Sequence, residues 1–253
     1  MIALVIKVGC CGWAVRGGKQ AYYKEFSLIE LQETFYKLPK VDTVKSWRED
    51  APSNFEFAVK AWQAITHPTT SPTWKKAGVK IPAEKADKYG NLQPTREVFE
   101  AWEQTLEICK ALNARICVIQ TPPSFNYTDE NLRNAKEFFA SISRDNVIPA
   151  WEPRGDWNDH LDIVKEICDS YKLIHVVDIF RRDPVSEHSV SYIRLHGIGK
   201  GEVNYRYKYT DDDLLRLKEK VKSLEKKGKE VYVLFNNVYM ADDAKRFNNL
   251  LTS

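Results

Sequence analysis

The chain has 253 residues, of which 43% are hydrophobic and 29% are charged, and its formal net charge is +3 at pH 7. Its aliphatic and aromatic content is ample for the core of one domain. The small positive charge is spread along the chain, which permits an anionic ligand but lacks the concentrated basic stripe of a dedicated nucleic-acid-binding protein.

The cysteines and the first residues predict where the protein works. The 5 cysteines show no paired spacing of the metal-binding or redox type, so we expect free thiols in a reducing compartment. Residues 1–9 form a short strand-like run without a charged leader, a cleavage site or an apolar stretch that could span a bilayer. These features predict a cytoplasmic, soluble protein that does not associate with membranes.

Three strands are predicted in the first part of the chain. A β-branched run at Val5–Gly9 predicts the first, and a basic loop with two glycines follows at residues 16–19. Alternation of polar and apolar residues predicts the second at Leu28–Phe35 and the third at Phe55–Lys60, with a helix at Val41–Asp50 between them.

From residue 66 to residue 96 this periodicity gives way to Pro, Thr, Ser, Lys and Gly. The segment is too long for an ordinary connection. It predicts a functional lid or an irregular excursion over the mouth of the fold.

Strand and helix patterns alternate again over the rest of the chain. The predicted strands are Ile116–Thr121, Val147–Arg154, Leu173–Ile179, Ser191–Gly197 and Glu230–Asn237. The predicted helices are Glu97–Leu112, Asp129–Ser141, Asn158–Tyr171, Asp211–Lys227 and Ala241–Leu251. Thr128 is a suitable N-cap for the second of these helices, because its hydroxyl can accept a backbone N–H of the first turn.

Eight strands, nearly all followed by a helix, have the count of a closed β/α barrel. An open doubly wound sheet also alternates, but its strands are covered on both faces and read as continuous apolar runs. Several strands here carry polar residues on one face only. The sequence therefore predicts an α/β protein with a single closed (β/α)8 TIM barrel over residues 1–253 and the 66–96 excursion after its third strand.

The fifth predicted strand points to a site. Side chains two apart on a strand share a face, so Ala150, Glu152 and Arg154 point one way. Trp151 points the other way, into the core. Two charges in a sheet interior are costly unless they are paired or face a watered cavity. In TIM-barrel enzymes such a cavity lies at the carboxyl ends of the strands.

Polar residues of several strands are predicted to meet at these ends: Glu30, Lys60, Gln120, Glu152, Arg154, Asp178, Arg194, His196 and Asn236. The catalytic candidates are Glu152 as general acid or base, His196 as the alternative proton carrier, and Lys60. The other six are candidates for substrate binding, because guanidinium groups hold carboxylates or phosphates and amides orient a substrate. The competing interpretation is structural. Glu152 with Arg194, or Asp178 with Arg154, would then form ion pairs that only seal the barrel.

The seventh strand is followed by a loop with three glycines, Gly197–Gly201. Backbone N–H groups around Gly199 could converge on an anion as a nest, and Lys200 adds a mobile charge. We expect phosphate or sulfate to bind between this loop and the guanidinium of Arg194. The alternative is that the glycines only form a tight turn.

The sequence predicts neither a metal nor an organic cofactor. Glu30, Glu152, Asp178 and His196 could together make an oxygen-rich metal site, but three cations share the same ring. No His-x-His spacing, His-Glu-x-x-His spacing or hydride-cofactor fingerprint occurs. A catalytic thiolate at Cys10 or Cys11 is the weaker alternative, since small residues are common beneath a barrel mouth.

A series of segments matches one known family in order and over nearly the whole chain: Gly9–Trp13, Glu30–Tyr36, Phe55–Phe57 with Lys60, Ile65–His67, Gln120–Pro123, Glu152–Arg154, Tyr192–Gly197 and Phe235–Asn237. They resemble the YecE-like family, the domain of unknown function 72 (DUF 72). One departure is Gln32, where members often carry Asn. The resemblance implies a single (β/α)8 barrel of the endonuclease IV and xylose isomerase type and leaves the reaction open.

The leading functional hypothesis is an enzyme, a hydrolase or lyase, that acts on an anionic substrate by acid–base chemistry. A sugar phosphate, a nucleotide or a nucleic-acid end would suit the cationic ring. The second hypothesis is a non-catalytic nucleic-acid-binding protein, which a steep salt dependence of binding would favour. The third is a metal-dependent phosphodiester hydrolase resembling endonuclease IV, which metal measurement on the purified protein would identify.

Overall fold

The computed structural model describes residues 6–252, in which eight parallel strands form one closed barrel in sequence order. The strands are β1 (Ile6–Cys11), β2 (Leu28–Leu31), β3 (Glu56–Lys60), β4 (Ile116–Gln120), β5 (Ile148–Glu152), β6 (Ile174–Val177), β7 (Val190–Leu195) and β8 (Glu230–Phe235). β8 closes onto β1 with Val233 opposite Val8. The predicted α/β class and closed TIM barrel are confirmed.

Helices follow every strand except β6, which leads to β7 without one. The α-helices are α1 (Gly18–Glu25), α2 (Glu33–Tyr36), α3 (Val41–Asp50), α4 (Gln63–Thr66), α5 (Pro72–Ala77), α6 (Arg96–Ala111), α7 (Asp129–Ser141), α8 (Leu161–Ser170), α9 (Asp211–Lys226) and α10 (Met240–Thr252). Thr128 caps α7 by accepting the backbone N–H of Asn131. Over residues 6–252, no helix is both long and apolar enough to cross a membrane.

Alternation along the strands divides the side chains between two cores. On β5, Ala150 is buried with the residues that fill the barrel interior. Trp151 points outward and is fully buried against Phe139 and Trp157, with ring centroids 5.5 and 5.1 Å away. Glu152 is the next inward-facing residue of β5. The inward-facing side chains of this strand are therefore apolar inside the barrel and end with a carboxylate at its mouth.

An ion-pair network lies at the opposite, N-terminal end of the barrel. Lys7 Nζ lies 2.5 Å from Glu56 Oε1 and 2.6 Å from Glu230 Oε1. Arg115 Nη1 lies 2.6 Å from the other oxygen of Glu230, and the Tyr232 hydroxyl donates to Glu56 at 2.7 Å. Each of the four charged groups in this network therefore has a partner of opposite sign.

The second strand is shorter than predicted. The alternation of Leu28–Phe35 predicts one strand, but β2 ends at Leu31 and the chain coils into α2. The hydroxyl of Thr34 donates to the carbonyl of Lys60 at 2.7 Å, and the N–H of Phe35 donates back to the carbonyl of Gln32. These hydrogen bonds take the place of further strand pairing between β2 and β3.

Several strands end one or two residues earlier than predicted, and two differences lie beside β5. β5 ends at Glu152 rather than Arg154, and Pro153, which follows it, has no N–H to continue the ladder. The helix predicted from Asn158 begins only at Leu161, because a 3-10 helix at Gly155–Asp159 precedes it. Trp157 anchors that 3-10 helix by donating from its indole to a backbone carbonyl at 2.7 Å.

The excursion after β3 contains regular structure. It includes α5 and a 3-10 helix at Ala83–Lys88, and α4 comes directly before it. Its end returns to its beginning, since the N–H groups of Gly90 and Leu92 donate to the carbonyls of Ala64 and Ile65. The segment is therefore pinned at its base.

We expect Gly9→Ala to lower the free energy of unfolding by about 1–3 kcal/mol. A Cβ at Gly9 would lie 2.1 Å from the carbonyl oxygen of Leu28, where β1 approaches β2, and backbone cannot move aside cheaply. Gly201→Ala is the matched control, because its Cβ would meet nothing closer than 3.9 Å. Urea unfolding compares the two variants, and a Gly9→Ala protein as stable as the wild type would contradict the close approach.

Candidate functional site

Glu152, the last residue of β5, lies in the barrel mouth between two guanidinium groups. Its Oε1 accepts from Arg154 Nη2 at 2.6 Å, and its Oε2 accepts from Arg194 Nη1. Burial alone would raise the pKa of Glu152, but Arg154, Arg194 and His196 hold that pKa well below its usual range. The carboxylate is therefore ionised at neutral pH.

Arg194 is completely buried and is shared between carboxylates from two other strands. Besides Glu152, its Nη2 lies 2.8 Å from Glu30 Oε1, and its Nη1 donates to Gln120 Oε1 at 2.9 Å. Residues from β2, β4, β5 and β7 thus converge on one guanidinium. Such a pair is stable only when further hydrogen bonds satisfy the buried charges.

Glu30 receives those further bonds from two side chains that the sequence reasoning does not place in the site. The Tyr192 hydroxyl donates to Glu30 Oε2 at 3.0 Å, and the amide of Gln32 donates to Oε1. Tyr192 shares the inward face of β7 with Arg194, so strand parity was a signal that could have found it. Gln32, the position where the resemblance notes a departure, retains an amide that reaches Glu30.

His196 follows β7 and is held from three sides. Its backbone N–H donates to Asp178 at 2.9 Å, its Nε2 lies 2.9 Å from Glu152 Oε1, and its Nδ1 lies 3.1 Å from the amide nitrogen of Asn236. Burial lowers the pKa of His196 to about 4, although Glu152 opposes the shift. The ring is thus neutral at pH 7, and a ring that donates from Nε2 to Glu152 accepts at Nδ1 from Asn236.

Lys60, the last residue of β3, is buried in the same mouth without an anionic partner. Its Nζ makes no hydrogen bond or ion pair with any other residue between 6 and 252, and it lies 4.2 Å from the centre of the Phe35 ring. Burial and the nearby Arg194 lower the pKa of Lys60 to about 8, against the opposing pull of Glu30 and Glu152. Lys60 is therefore a cation that can lose its proton close to neutral pH.

Asp178 is turned toward the backbone. Its two oxygens accept the N–H groups of His196 and Phe180 at 2.9 and 3.0 Å. The predicted pair of Asp178 with Arg154 does not form, because Arg154 binds Glu152 instead. Asp178 therefore fixes the chain where β6 and β7 end.

The backbone groups of the loop Gly197–Gly201 are hydrogen-bonded to side chains outside the loop. The N–H of Gly197 donates to the Tyr209 hydroxyl at 2.8 Å, and the carbonyl of Gly199 accepts from Arg181 at 2.7 Å. Lys200 is exposed. The N–H of Gly197 is thus already occupied, and Arg194 has no exposed surface to offer an anion beside this loop.

The mouth differs from the N-terminal end of the barrel in how its charges are paired. The predicted pair of Glu152 with Arg194 does form, as a structural seal requires. However, Lys60 stays without a counter-ion here, whereas every charge in the network around Lys7 is paired. An ion-pair seal accounts for part of the mouth and not for Lys60.

The four residues considered as metal ligands do not form a ligand set in this arrangement. Between residues 6 and 252, no three His, Cys, Asp or Glu side chains are grouped so as to hold a metal ion. The guanidinium of Arg194 lies between Glu30 and Glu152, and the oxygens of Asp178 are occupied by backbone N–H groups. A guanidinium in this position repels a second cation.

Comparisons with known proteins identify similar chains. The family model described as "Protein of unknown function DUF72" matches residues 7–253. UPF0759 protein YunF of Bacillus subtilis (strain 168) is 24% identical, over 98% of this chain and 94% of its own. A DUF72 family protein from Thermotoga maritima is 22% identical and covers 98% of this chain and 100% of its own, with a TM-score of 0.72. Endonuclease IV from Thermus thermophilus shares the fold at 10% identity, with 97% and 99% coverage and a TM-score of 0.54.

We expect the protein to lose stability as the pH falls from about 6.5 toward 4. Burial lowers the pKa of His67 to about 3 and those of His175 and His196 to about 4. Over this range the three histidines become protonated in the unfolded chain but stay neutral in the folded protein. Acid therefore favours the unfolded state. Each such histidine contributes about 1.4 kcal/mol per pH unit.

Urea unfolding between pH 5 and 7 measures this slope. His175→Gln changes a residue outside the mouth. It should reduce the pH dependence of the free energy of unfolding by about the contribution of one proton. An unchanged slope in that variant would contradict a neutral His175 in the folded protein.

Proposed function

The chain belongs to the DUF72 family, and on that premise we propose that it is an enzyme acting on an anionic, phosphate-bearing substrate by acid–base chemistry at the barrel mouth. Lys60 is the observation that carries the proposal. Lys60 is 8% exposed and forms no ion pair with another described residue; a charge in so confined a place is costly, and a bound anion would supply the missing partner.

The pattern of ion pairs in the mouth supports an anion. Arg154, Arg194 and Lys60 contribute three positive charges. Glu30 and Glu152 are paired with the two arginines, and the third carboxylate, Asp178, accepts from backbone N–H groups, so none of the three forms an ion pair with Lys60. Arg194 already contacts Glu30 and Glu152, so in this proposal the anion binds against Lys60 and Arg154. This differs from the sequence expectation, which placed the anion between Arg194 and the glycine loop.

The proton chemistry is assigned to Lys60. General acid–base catalysis is most efficient when the pKa of the group lies near the working pH. The pKa of Lys60 is lowered to about 8, whereas that of Glu152 lies far below neutrality and that of His196 is about 4. Glu152, the first candidate from the sequence, is therefore proposed as a positioning residue that orients His196 and the guanidinium groups.

Non-catalytic nucleic-acid binding is the competing proposal, and salt dependence separates the two. A protein that neutralises many phosphates loses affinity steeply as salt rises, with a slope that counts those phosphates. A site built on Lys60 and Arg154 contacts one anionic group and predicts a shallow slope.

We expect inorganic phosphate to stabilise the wild-type protein and Lys60→Met to weaken phosphate binding by about 10- to 100-fold. The loss corresponds to one charge-assisted hydrogen bond of about 1.5–3 kcal/mol. Thermal unfolding is followed across a phosphate titration, with sodium chloride at equal ionic strength as the reference. Lys220→Met on the outer face of α9 is the matched control and should respond as the wild type does. Equal phosphate affinities of Lys60→Met and wild type would remove Lys60 from the anion site.

We expect Glu152→Gln to destabilise the fold by about 3–5 kcal/mol, because it leaves two guanidinium groups without their shared carboxylate. Phosphate should then stabilise this variant more than the wild type, by replacing the lost negative charge. Glu166→Gln, which breaks the exposed pair with Lys136, is the control and should cost less than about 1 kcal/mol. A phosphate response of Glu152→Gln no larger than that of the wild type would place the anion away from these groups.

A further inference from the structure

An exposed apolar ledge lies beside the mouth, in the loops that follow β7 and β8. We define the ledge as Val203, Tyr205, Val238 and Tyr239, whose exposed fractions are 40%, 48%, 68% and 42%. Among the described residues, only Leu215 on α9 is another large hydrophobic side chain with comparable exposure. Solvent-exposed apolar groups gathered at one place next to a site mark a binding surface more often than scattered ones do.

Tyr205 is held rigidly although its ring is half exposed. It lies in a turn in which the N–H of Tyr207 donates to the carbonyl of Asn204 at 2.9 Å. The N–H of Asn204 donates to the carbonyl of His196 at 2.7 Å, and the carbonyl of Tyr205 accepts from Val238 at 2.7 Å. The ring is therefore presented by a backbone that is fixed to both loops.

Gly197 permits this arrangement. It has a φ of 85°, and a Cβ there would lie 2.1 Å from the carbonyl oxygen of Asn204 and 2.8 Å from Cβ of Tyr207. The turn that carries Tyr205 therefore packs directly on the residue after His196. A side chain at position 197 would push the ledge away from the mouth.

Two consecutive contacts connect Tyr205 to the anion-binding groups. The rings of Tyr205 and His196 are 6.0 Å apart and nearly perpendicular, at 82°. His196 Nε2 in turn lies 2.8 Å from Arg154 Nη2. On the other side of the ledge, Lys208 Nζ lies 5.5 Å from the centre of the Tyr239 ring and is paired with Asp242 at 2.9 Å. The exposed Tyr205 ring thus lies two contacts away from Arg154.

We propose that the ledge binds the base of a nucleotide whose phosphate lies against Lys60 and Arg154. The inference rests on the proposed phosphate site and narrows its substrate class. A nucleobase offers the flat π-face that stacks on an exposed tyrosine, whereas a sugar phosphate has no planar group to place there. The nucleotide is favoured over a protein partner because the ledge consists of four side chains and lies next to the charged groups of the mouth.

Isothermal titration calorimetry with adenosine 5′-monophosphate, uridine 5′-monophosphate and ribose 5-phosphate tests the inference. The three ligands share the phosphate and pentose, and only the nucleotides carry a base. We expect at least one nucleotide to bind the wild type about 5- to 150-fold more tightly than ribose 5-phosphate, the range given by stacking one base, about 1–3 kcal/mol. Tyr205→Ala should abolish this preference and leave ribose 5-phosphate unchanged.

Two further variants control the result. Tyr205→Phe keeps the ring and should keep the preference, and Leu215→Ala removes an exposed apolar side chain elsewhere and should bind as the wild type does. Nucleotides that bind no more tightly than ribose 5-phosphate, or a preference that survives Tyr205→Ala, would overturn the role of the ledge while leaving the phosphate site intact. No binding of any of the three would overturn the proposed phosphate site itself.

Discussion

The mouth of the barrel is organised by the complete burial of Arg194. A guanidinium group stays protonated even when it is buried, so its charge must be compensated by nearby carboxylates. Glu30 and Glu152 do so from β2 and β5, and Gln120 adds an amide oxygen from β4. Because the barrel is closed, these strand ends cannot move independently. The position of one arginine on β7 therefore fixes the positions of side chains from three other strands.

The same network separates the proton affinities of the groups around it. Arg154 and Arg194 keep Glu152 ionised, and burial keeps His196 neutral, so neither exchanges a proton easily at pH 7. Lys60 experiences burial and the positive charge of Arg194 without a hydrogen-bonded carboxylate to compensate, and its pKa falls to about 8. Titratable groups whose environments push their pKa values apart are typical of sites in which each group has one role.

The sequence predicted the frame of this site better than its contacts. Strand parity placed Glu152, Arg194 and Lys60 on the inward face, because a period of two follows from strand geometry alone. Their partners depend on how the eight strands are staggered around the barrel, which no local pattern encodes. Strand parity does not show that the carboxylate of Asp178 accepts from backbone N–H groups. It also does not show that β2 ends at Leu31, after which a threonine hydroxyl donates to a carbonyl of β3. The acid–base role given to Glu152 depended on charges from other strands, so it could be assessed only once those strands were in place.

The two ends of the barrel allow a comparison within one molecule. Both ends place ionised groups on inward-facing strand positions, and both lie against the same apolar interior. At the N-terminal end Lys7 meets two carboxylates and Arg115 meets one of them, and both of these cations are partly exposed to solvent. At the mouth Lys60 forms no ion pair with another residue of the described range 6–252, and its Nζ lies 4.2 Å from the centre of the Phe35 ring. A residue retained for stability alone would be paired or apolar, since either choice removes the cost of a buried charge. In the function proposed here, a bound anion would remove this cost at the end where barrel enzymes bind their substrates.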